Sequence, residues 1–581
     1  MEQNNADIKK SDLTRVYTSV RKFLAEKDFD SALQALDEIL EKDTGNAEAL
    51  ALAGDIYTAA GDTQLAIGHY GLAIQAAPTN VEYKRQFISI AGKITIAQYN
   101  PAIEEVLRLC LEAPEVECSH AQILWYTLVR AHPQFLPLLQ AAFENPERPF
   151  EGAQKLDFLL NPLFLMGIKR IVVCNEGFEE FMTLLRKFLL KGAKTSHKSL
   201  NAVQYQAVIE AVALYCFNTD YIFSRTEEEE KIIESIQREL ENSVSARQDI
   251  IKTGLYACYE PLYRLRHANG INCLPALKAQ IEEYLDFQRR AVKITSLTEV
   301  TDAVSLKVRE QYEEFPFPRW RELLRTRNAD SVTLNKAGLQ ILIAGCGTGQ
   351  EPLYIAQSCP LASLLAIDLS RNSLAYASRK AEELGISNIE FCHADILQLG
   401  SLSRRFDCIS SMGVLHHMKD PIEGWKILTG LLNAGGLMRI GLYSALARRS
   451  IITARAEIKK GGYPDTAVGM RQFRKNSKKL LGDTLRDKIF MAKDYYHLNT
   501  YRDLLFHVQE HQFTLPQIKN ILDDLGLEFI EMMAPEDALQ NFCKQFPDDI
   551  QAKNIDNWHK IEEERPDTFT AMYKFWCRKK T

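Results

Sequence analysis

The stretch LQILIAGCGTGQEPL, residues 339–353, decides the fold of the C-terminal half of this chain. A strand-type apolar run ends there at three glycines on alternate positions, Gly345, Gly347 and Gly349. Glycine enters left-handed backbone conformations without a steric penalty, so this turn lets the backbone approach another group closely. A G-x-G-x-G turn alone is a weak signal, because several kinds of nucleotide-binding protein share it.

The residues around this turn alternate between strand-like and helical patterns from about residue 301 onward. Such alternation predicts a mostly parallel sheet with helices on both faces. In a sheet of this type, ligands bind at the carboxyl ends of the strands. The strand candidates are LQILIAG (339–345), SLLAID (363–368), IEFCHAD (389–395), FDCISSMG (406–413), GGLMRIGLYS (435–444), GLEFIEM (526–532) and FTAMYKFWCRK (569–579).

Two carboxylates follow successive strands. Asp368 ends the second strand, 19 residues after Gly349, where a carboxylate can accept hydrogen bonds from both hydroxyls of a ribose. Asp395 follows the third strand and can accept from an adenine amino group. The fourth strand then opens into a loop that contains His416 and His417.

The glycine turn, the two aspartates and the Val-Leu-His-His loop together resemble the class I S-adenosylmethionine-dependent methyltransferases over roughly residues 335–445. The resemblance implies S-adenosylmethionine as cofactor and a Rossmann-like, seven-stranded sheet whose last strand, 569–579, runs antiparallel. It implies a cofactor site formed by Gly345, Cys346, Gly347, Thr348, Gly349, Gln350, Asp368, Leu369, Asp395, Ile396, Met412 and Gly413. A nicotinamide-binding Rossmann domain is the alternative, but its usual G-x-G-x-x-G spacing is missing and Asp395 and the His pair would have no role.

One position departs from the family pattern. An Asp or Glu often stands two residues before the first glycine in this family, and Ile343 stands there in this chain. Gln350 is one candidate to meet the amino-acid end of the cofactor. The segment VREQYEEFPFPRW (308–320) resembles the N-terminal lid of a methyltransferase subgroup, which implies that Tyr312 closes over the cofactor and Arg319 reaches its carboxylate. Alternatively, the prolines and Trp320 only fix an entry loop.

Methyl transfer from a sulfonium needs alignment and exclusion of water more than acid–base chemistry. An amine acceptor must nevertheless lose a proton first, and His416 and His417 are the candidates to take it. The alternative is that this pair only shapes the pocket.

The motif HVQEH (507–511) matches the H-x-x-E-H pattern of inverted zinc peptidases. A helix would place His507 and His511 on one face, but no third ligand can be identified, so we predict no metal site. The two histidines could line the substrate entrance with Tyr495, Tyr496 and Arg502, or they could simply pack.

The N-terminal region repeats with a period of 34 residues. Segments 13–46 and 47–80 align, with Asp28 matching Asp62 and Asn46 matching Asn80, and a degraded third copy covers 81–114. This period and residue pattern predict tetratricopeptide repeats, pairs of helices whose concave face often holds a protein. The repeats could instead form a homodimer or brace the rest of the chain.

Charge is unevenly distributed. The net charge is -6, yet residues 444–493 hold 13 Lys or Arg against 4 Asp or Glu. A basic segment in an acidic protein suggests an anionic or acidic partner, with a solvated helical face as the alternative. The chain is acidic overall and the basic residues have few aromatic neighbours, which weighs against nucleic acid as the partner.

The composition is that of a globular protein, with 46% hydrophobic and 25% charged residues. Twelve cysteines without a C-x-x-C pair favour reduced thiols and a cytoplasmic location. We expect no secretory signal and no membrane insertion, since the longest apolar stretch (156–174) is interrupted by polar and charged residues.

These patterns predict a multidomain chain. The predicted domains are tetratricopeptide repeats (1–114), a helical middle domain (115–300), a methyltransferase core with an N-terminal lid (301–443), a basic substrate-side insertion (444–514) and the C-terminal end of the methyltransferase domain (515–581). The whole arrangement resembles bacterial repeat-containing methyltransferases, some of which methylate lysines of outer-membrane proteins. We therefore expect a protein lysine N-methyltransferase whose repeats and insertion bind the substrate; RNA or small-molecule methylation and a non-catalytic scaffold are the alternatives.

Overall fold

The computed structural model of the chain describes residues 2–150, 156–192, 201–242, 249–313, 320, 323 and 336–581, with side chains from residue 13 onward. The chain divides into two compact units, Met1–Ile281 and Glu282–Thr581. In the part of the chain that the structure describes, no helix is both long and apolar enough to cross a bilayer.

Unit 1 is helical. Its described α-helices are α1 (Glu2–Ala25), α2 (Phe29–Lys42), α3 (Ala47–Ala60), α4 (Thr63–Ala76), α5 (Val81–Ala91), α6 (Pro101–Glu112), α7 (Gln122–Ala131), α8 (Phe135–Glu144), α9 (Pro162–Arg170), α10 (Glu176–Gly192), α11 (Ala202–Asn218), α12 (Glu227–Asn242), α13 (Ile250–Ala257) and α14 (Pro275–Ala291), the last of which crosses into unit 2.

The residues that recur with the 34-residue period lie at the starts of the helices. Asp28 and Asp62 cap the second helix of each of the first two pairs, and each side chain accepts an N–H from the first turn. Asn46 and Asn80 do the same for the helices that begin the second and third pairs. Asp and Asn are favoured at this position because their short side chains satisfy N–H groups that have no partner within the helix.

Unit 2 is built on an eight-stranded sheet with the order β1-β4-β3-β2-β5-β6-β8-β7. All neighbours are parallel except β6–β8 and β7–β8, which are antiparallel. The strands are β1 (Thr295–Ser296), β2 (Gln340–Ala344), β3 (Ser363–Asp368), β4 (Ile389–His393), β5 (Phe406–Met412), β6 (Leu432–Tyr443), β7 (Leu527–Met532) and β8 (Met572–Lys579).

The expected Rossmann-like sheet is therefore present, with a minor correction to its strand number. The seven strands foreseen from the sequence are β2 to β8, and the last of them is antiparallel as expected. The eighth is the two-residue β1, which extends the edge beside β4. Its pairing is supported by a contact of 2.8 Å between Ser296 Oγ and His393 Nδ1. A strand of only two residues is too short to show the hydrophobic periodicity by which strands are identified in a sequence.

Helices cover both faces of the sheet. One apolar cluster joins β2 and β3 to the helices near the glycine turn, through residues such as Ile343 and Leu374. The other cluster lies on the opposite face and includes Trp425 and Trp558. The described α-helices of unit 2 beyond α14 are α15 (Ala303–Glu313), α16 (Gln350–Ser358), α17 (Arg371–Glu383), α18 (Pro421–Leu431), α19 (Arg449–Gly461), α20 (Ala467–Phe490), α21 (Leu498–Tyr501), α22 (Leu515–Asp524), α23 (Glu536–Gln545) and α24 (Ile555–Glu564).

The basic segment folds mainly as α19 and α20, between β6 and α22. A short π-helix, Arg502–Phe506, follows α21. The HVQEH segment after it is irregular rather than helical, so His507 and His511 do not share a helix face. Glu510 of this segment is buried in an ion pair with Arg448, at 2.9 and 2.7 Å. Among the described residues the zinc-peptidase arrangement is therefore absent, and Glu510 anchors the segment.

Candidate functional site

The glycine turn lies at the carboxyl end of β2 and has the backbone that its sequence requires. Gly345, Gly347 and Gly349 all have positive φ, between 51° and 88°. A Cβ at position 345 would come within 2.3 Å of Val414 Cγ2, and one at position 349 within 2.5 Å of Ala377 Cβ. No other residue type fits these positions, since both the left-handed backbone and the space favour glycine.

Asp368, at the end of β3, is held against this turn. Its Oδ2 accepts the N–H of Gly347 at 2.8 Å and its Oδ1 accepts the N–H of Ser370 at 2.9 Å. Burial raises the pKa of Asp368, and these two N–H groups oppose that rise. Each carboxylate oxygen keeps a second lone pair, so the group can still accept from two hydroxyls of a ligand.

Asp395 lies beyond the end of β4 with one oxygen unsatisfied. Its side chain is 1% exposed, and Oδ1 accepts the N–H of Leu397 at 3.0 Å. Oδ2 is buried and has no hydrogen-bond partner among the described residues. Burial raises the pKa of this carboxyl, and the Leu397 N–H and the nearby Ser305 hydroxyl lower it. A buried oxygen without a donor is costly, so the position fits a ligand that brings an N–H, such as an amino group on a purine.

A cavity of about 360 Å³ opens between these carboxylates and the end of β5. This volume lies within the usual range for small-molecule and cofactor sites. The residues that were expected at the cofactor or the acceptor and that line the cavity are Tyr312, Gly345, Cys346, Gly347, Thr348, Gln350, Asp368, Leu369, Asp395, Ile396, Met412, Gly413 and His417.

Two expected site residues that the structure describes, Gly349 and His416, are not part of this lining. Gly349 caps α16 and packs against Ala377, so it shapes the turn from behind. His416 is fully buried and stacks on Tyr443, with 3.8 Å between the ring centroids, and neither ring nitrogen has a hydrogen-bond partner among the described residues. Arg319 lies outside the described residues.

The described residues of the predicted lid segment, 308–313 and Trp320, include several that bond to elements at the same edge of the sheet. Glu313, at the end of α15, accepts the N–H of Arg371 at 2.8 Å and so caps α17. The carbonyl of Tyr312 accepts the Ser370 hydroxyl at 3.1 Å. Further along, the indole N–H of Trp320 donates to the carbonyl of Thr348 in the glycine turn at 3.1 Å. The lid residues that the structure describes are thus bonded to the elements that carry Asp368 and the glycines.

His417 contributes a basic nitrogen to the cavity. Its Nδ1 lies 2.9 Å from the carbonyl oxygen of Gln509, so Nδ1 carries the hydrogen and Nε2 keeps a lone pair. Burial lowers the pKa of His417, and Asp503 and the Gln509 carbonyl work in the opposite direction. The imidazole is therefore neutral at neutral pH and able to accept a proton.

Sequence reasoning missed two carboxylates that line the cavity. Glu351 follows Gln350 at the start of α16, and its Oε1 accepts the Ser410 hydroxyl at 2.6 Å and lies 3.3 Å from Arg439 Nη1. Ser410 pairs with Ile343 in the register of β2 and β5, so Glu351 brings a carboxylate close to the position where Ile343 lacks one. The family pattern expects that charge on the strand, and the fold brings a carboxylate of the next helix near this position.

Asp503 is the other missed carboxylate. It belongs to the π-helix Arg502–Phe506, and its Oδ1 accepts the hydroxyl of Tyr312 from 191 residues earlier in the chain. No local motif marks Asp503, because its position depends on how the insertion returns to the sheet.

Comparison with known proteins identifies two segments. Residues 341–436 match the family model of a methyltransferase domain, and residues 23–85 match that of the tetratricopeptide repeat. Both matches confirm the fold expected for each region. Together with the fit of the cavity, the first also bears out S-adenosylmethionine as the cofactor.

Individual relatives cover the chain only partly. An uncharacterized protein of Synechococcus sp. is 27% identical over 253 residues, which is 39% of this chain and 60% of that protein. The probable (S)-tetrahydroprotoberberine N-methyltransferase 2 of Papaver bracteatum is 34% identical over 85 residues, 15% of this chain and 24% of that protein. This chain therefore spans between 24% and 60% of the length of these two curated relatives.

Among solved structures, PKMT2 from Rickettsia typhi in complex with AdoHcy aligns with 17% identity and a TM-score of 0.31, over 48% of this chain and 52% of that one.

Proposed function

We propose that this chain is an S-adenosylmethionine-dependent methyltransferase that methylates an amine nitrogen, in particular a lysine of a protein substrate. The observation that carries the proposal is the cavity itself. Its lining combines the glycine turn, the Asp368 carboxylate, Asp395, whose Oδ2 has no partner among the described residues, and His417, whose Nε2 keeps a lone pair.

The residues of the cavity fit each part of the cofactor. Asp368 would accept from the ribose hydroxyls and Asp395 from the adenine amino group. Glu351 would take the amino group of the methionyl part, since Ile343 is buried in an apolar cluster and cannot. Gln350 lines the same end and can donate to the cofactor carboxylate, the role that we also expect of Arg319. When bound, the cofactor supplies an electrophilic methyl group whose bond to sulfur breaks, with its electron pair on sulfur, as the bond to the acceptor forms.

The chain's own residues prepare the acceptor. A lysine enters as an ammonium and must release one proton before its nitrogen has a lone pair. His417 Nε2 can take that proton, because Nδ1–H is held by the Gln509 carbonyl and the neutral ring is favoured by burial. The proton then leaves to solvent when the product dissociates. His416 has no place in this step because it lies behind Tyr443, outside the cavity lining.

The substrate side of the proposal uses the basic insertion and the repeats. The insertion supplies Asp503 to the cavity, so it contributes directly to the acceptor side. Residues 23–85 match a repeat whose stacked helices commonly bind proteins. We propose that the repeats select the protein substrate and that the enzyme works in the cytoplasm.

Two measurements on the full chain test this function. Calorimetric titration with S-adenosylhomocysteine should give saturable one-to-one binding. Incubation of a cell lysate with methyl-labelled cofactor and the chain should then place the label in protein, at lysine after hydrolysis. Absence of binding would refute the cofactor assignment, whereas label in RNA or in small molecules would refute the acceptor assignment alone.

A further inference from the structure

Among the described residues, four carboxylates line the cavity, and the proposed function gives three of them a part in binding the cofactor. Asp368, Asp395 and Glu351 each have a part of the cofactor to bind. Asp503 has none, although it reaches the same space from the π-helix Arg502–Phe506. The π-helix is rare in proteins, and where a single turn of it does occur it is frequently at a functional site.

The Asp503 carboxylate is held in a defined orientation. Its Oδ1 accepts the Tyr312 hydroxyl and lies 3.9 Å from Nε2 of His507. Its Oδ2 makes no hydrogen bond with any residue that the structure describes. One oxygen is thus fixed by the lid, and the other is left for a ligand that can donate.

Two histidines next to Asp503 have opposite hydrogen-bond roles. His417 donates from Nδ1 to the carbonyl of Gln509 at 2.9 Å, so its Nε2 is an acceptor. His507 accepts the N–H of Gln509 on its Nδ1 at 3.1 Å, so the hydrogen of the neutral ring is on Nε2. The rings stack with 3.7 Å between their centroids, and one residue, Gln509, therefore sets both tautomers.

Ligating atoms of His417, Asp503 and His507 lie within 4.8 Å of one another, a spacing that could also suit a metal ion. The tautomers decide against the metal. A metal on Nε2 of His507 would need that nitrogen without its hydrogen, and the hydrogen would then move to Nδ1, which already faces the N–H of Gln509. Metal-binding histidines usually donate their second ring hydrogen to an acceptor, and here that position holds a donor.

An alkylammonium fits the same three groups without conflict. It can donate to Oδ2 of Asp503 and to Nε2 of His417. Nε2 of His507 lies 3.9 Å from Oδ1 of Asp503 and has no hydrogen-bond partner among the described residues. A carboxylate acceptor would be repelled by Asp503, and a hydroxyl could donate a hydrogen bond to it but would gain no ion pair. The nearby Arg448 forms a buried pair with Glu510 at 2.7 Å, and Arg455 lies 3.7 Å from the same carboxylate.

We propose that Asp503, His417 and His507 form the acceptor subsite of this enzyme and that the subsite binds a primary alkylamine in its ammonium form. This inference rests on the proposed function, because it places the amine in the cavity that holds the cofactor. It adds the residue that selects a cationic acceptor and excludes oxygen acceptors and metal ions from the same place.

The test uses two analogues of S-adenosylhomocysteine in which nitrogen replaces the sulfur and carries a three-carbon arm. One arm ends in an amine and the other in a hydroxyl. Calorimetry with the full chain at neutral pH should show the amine analogue binding about tenfold more tightly, because its ammonium adds an ion pair with Asp503 to the hydrogen bond that the hydroxyl can also make. Equal affinities of the two analogues for the unmodified chain would overturn the inference.

Variants assign the preference to Asp503. Asp503→Asn should bind the two analogues with nearly equal affinity and should still bind S-adenosylhomocysteine. Asp465→Asn is the matched control, because Asp465 pairs with Arg502, the neighbour of Asp503, at 2.8 Å but does not line the cavity. This control should keep the tenfold preference, and its loss there would also contradict the inference.

The outcomes separate this inference from the proposed function. Failure of the unmodified chain to bind S-adenosylhomocysteine would refute the cofactor itself. Binding of S-adenosylhomocysteine without an amine preference would refute only the subsite. If Zn²⁺ stays bound to the unmodified chain after dialysis and is lost in Asp503→Asn, the three residues form a metal site and the amine subsite is refuted.

Discussion

At the scale of single residues, the cavity is lined by residues with polar atoms that lack a partner in the part of the chain that the structure describes. Oδ2 of Asp395 is buried without a donor, and Nε2 of His417 keeps a lone pair because Nδ1 is committed to Gln509. A protein interior normally satisfies such atoms. Here they surround one space, which is why the site can be interpreted chemically rather than only by its resemblance to a family.

Replacement of Asp368 by asparagine should weaken the binding of S-adenosylhomocysteine by roughly 10-fold to 100-fold. Asparagine keeps the size of the side chain but removes its charge. Hydrogen bonds to a charged group contribute about 1.5–3 kcal/mol, so the bonds to the ribose become weaker. Isothermal titration calorimetry measures the change. Asp407→Asn is the control, since Asp407 accepts from Gln340 and Asn433 and does not line the cavity; affinity of Asp368→Asn equal to the unmodified chain would mean that another residue binds the ribose.

His416 should make unit 2 sensitive to acid. Burial lowers its pKa far below the usual 6.5, helped by His417 and Arg448, so the unfolded chain takes up a proton that the folded chain refuses. The free energy of unfolding should therefore fall as pH drops below about 6.5, by about 1.4 kcal/mol per pH unit for this group.

The variant His416→Phe tests this contribution, because phenylalanine can keep the stack on Tyr443 without titrating. Urea unfolding at about pH 7 and pH 5.5 should show a smaller loss of stability in this variant than in the unmodified chain. The exposed His120, replaced by glutamine, serves as a control that leaves the loss unchanged. An identical acid response in His416→Phe would show that the other buried groups account for it.

At the scale of elements, the repeats depend on close packing between helices. Two glycines, one tightly packed and one exposed, allow this packing to be tested. Gly54 in α3 faces the ring of Tyr70 in α4, and a Cβ there would come within 2.6 Å of it. Tyr70 cannot move aside easily, since it is buried and its hydroxyl donates to Asp55 at 2.7 Å. Gly68, also in α4, is exposed and a Cβ there would meet nothing within 4 Å.

We therefore expect opposite effects from the two alanine substitutions. Gly54→Ala should destabilise unit 1 by about 1–3 kcal/mol through overpacking. Gly68→Ala should leave its stability unchanged or raise it by up to about 1 kcal/mol, because alanine is the better helix former. Chemical denaturation followed by circular dichroism distinguishes them, and a neutral Gly54→Ala would mean that α3 and α4 are packed less closely than the structure indicates.

At the scale of the whole molecule, the cavity and the tetratricopeptide-repeat match lie in different units. Every lining residue of the cavity belongs to unit 2, and the segment that matches the tetratricopeptide repeat belongs to unit 1. A ligand stabilises only the folded state that binds it, by about 2.7 kcal/mol at a hundredfold excess over its dissociation constant.

Differential scanning calorimetry should accordingly resolve two transitions. S-adenosylhomocysteine at saturating concentration should raise the temperature of one of them, while Gly54→Ala should lower the other. In Asp368→Asn the ligand shift should shrink. A single transition that moves with both ligand and substitution would show that the units unfold together.

The amino-acid sequence by itself determined the elements whose signals are local. Repeat caps such as Asp28 and Asp62, the glycines of the turn, Asp368 at the end of β3 and Asp395 just beyond β4 all follow from residue type and spacing, because the signal for each lies in a short stretch of sequence. The parallel sheet and its antiparallel last strand followed from the order of these elements and the resemblance that they support.

The tertiary structure alone decided which distant side chains meet. It placed Asp503 on the hydroxyl of Tyr312, supplied Glu351 near Ile343, and separated His417 in the cavity from His416 behind it. It also showed that the HVQEH segment is not a helix. Such contacts depend on how insertions and crossovers return to the sheet, and the packing energy that fixes them is spread over many residues rather than encoded in a short motif.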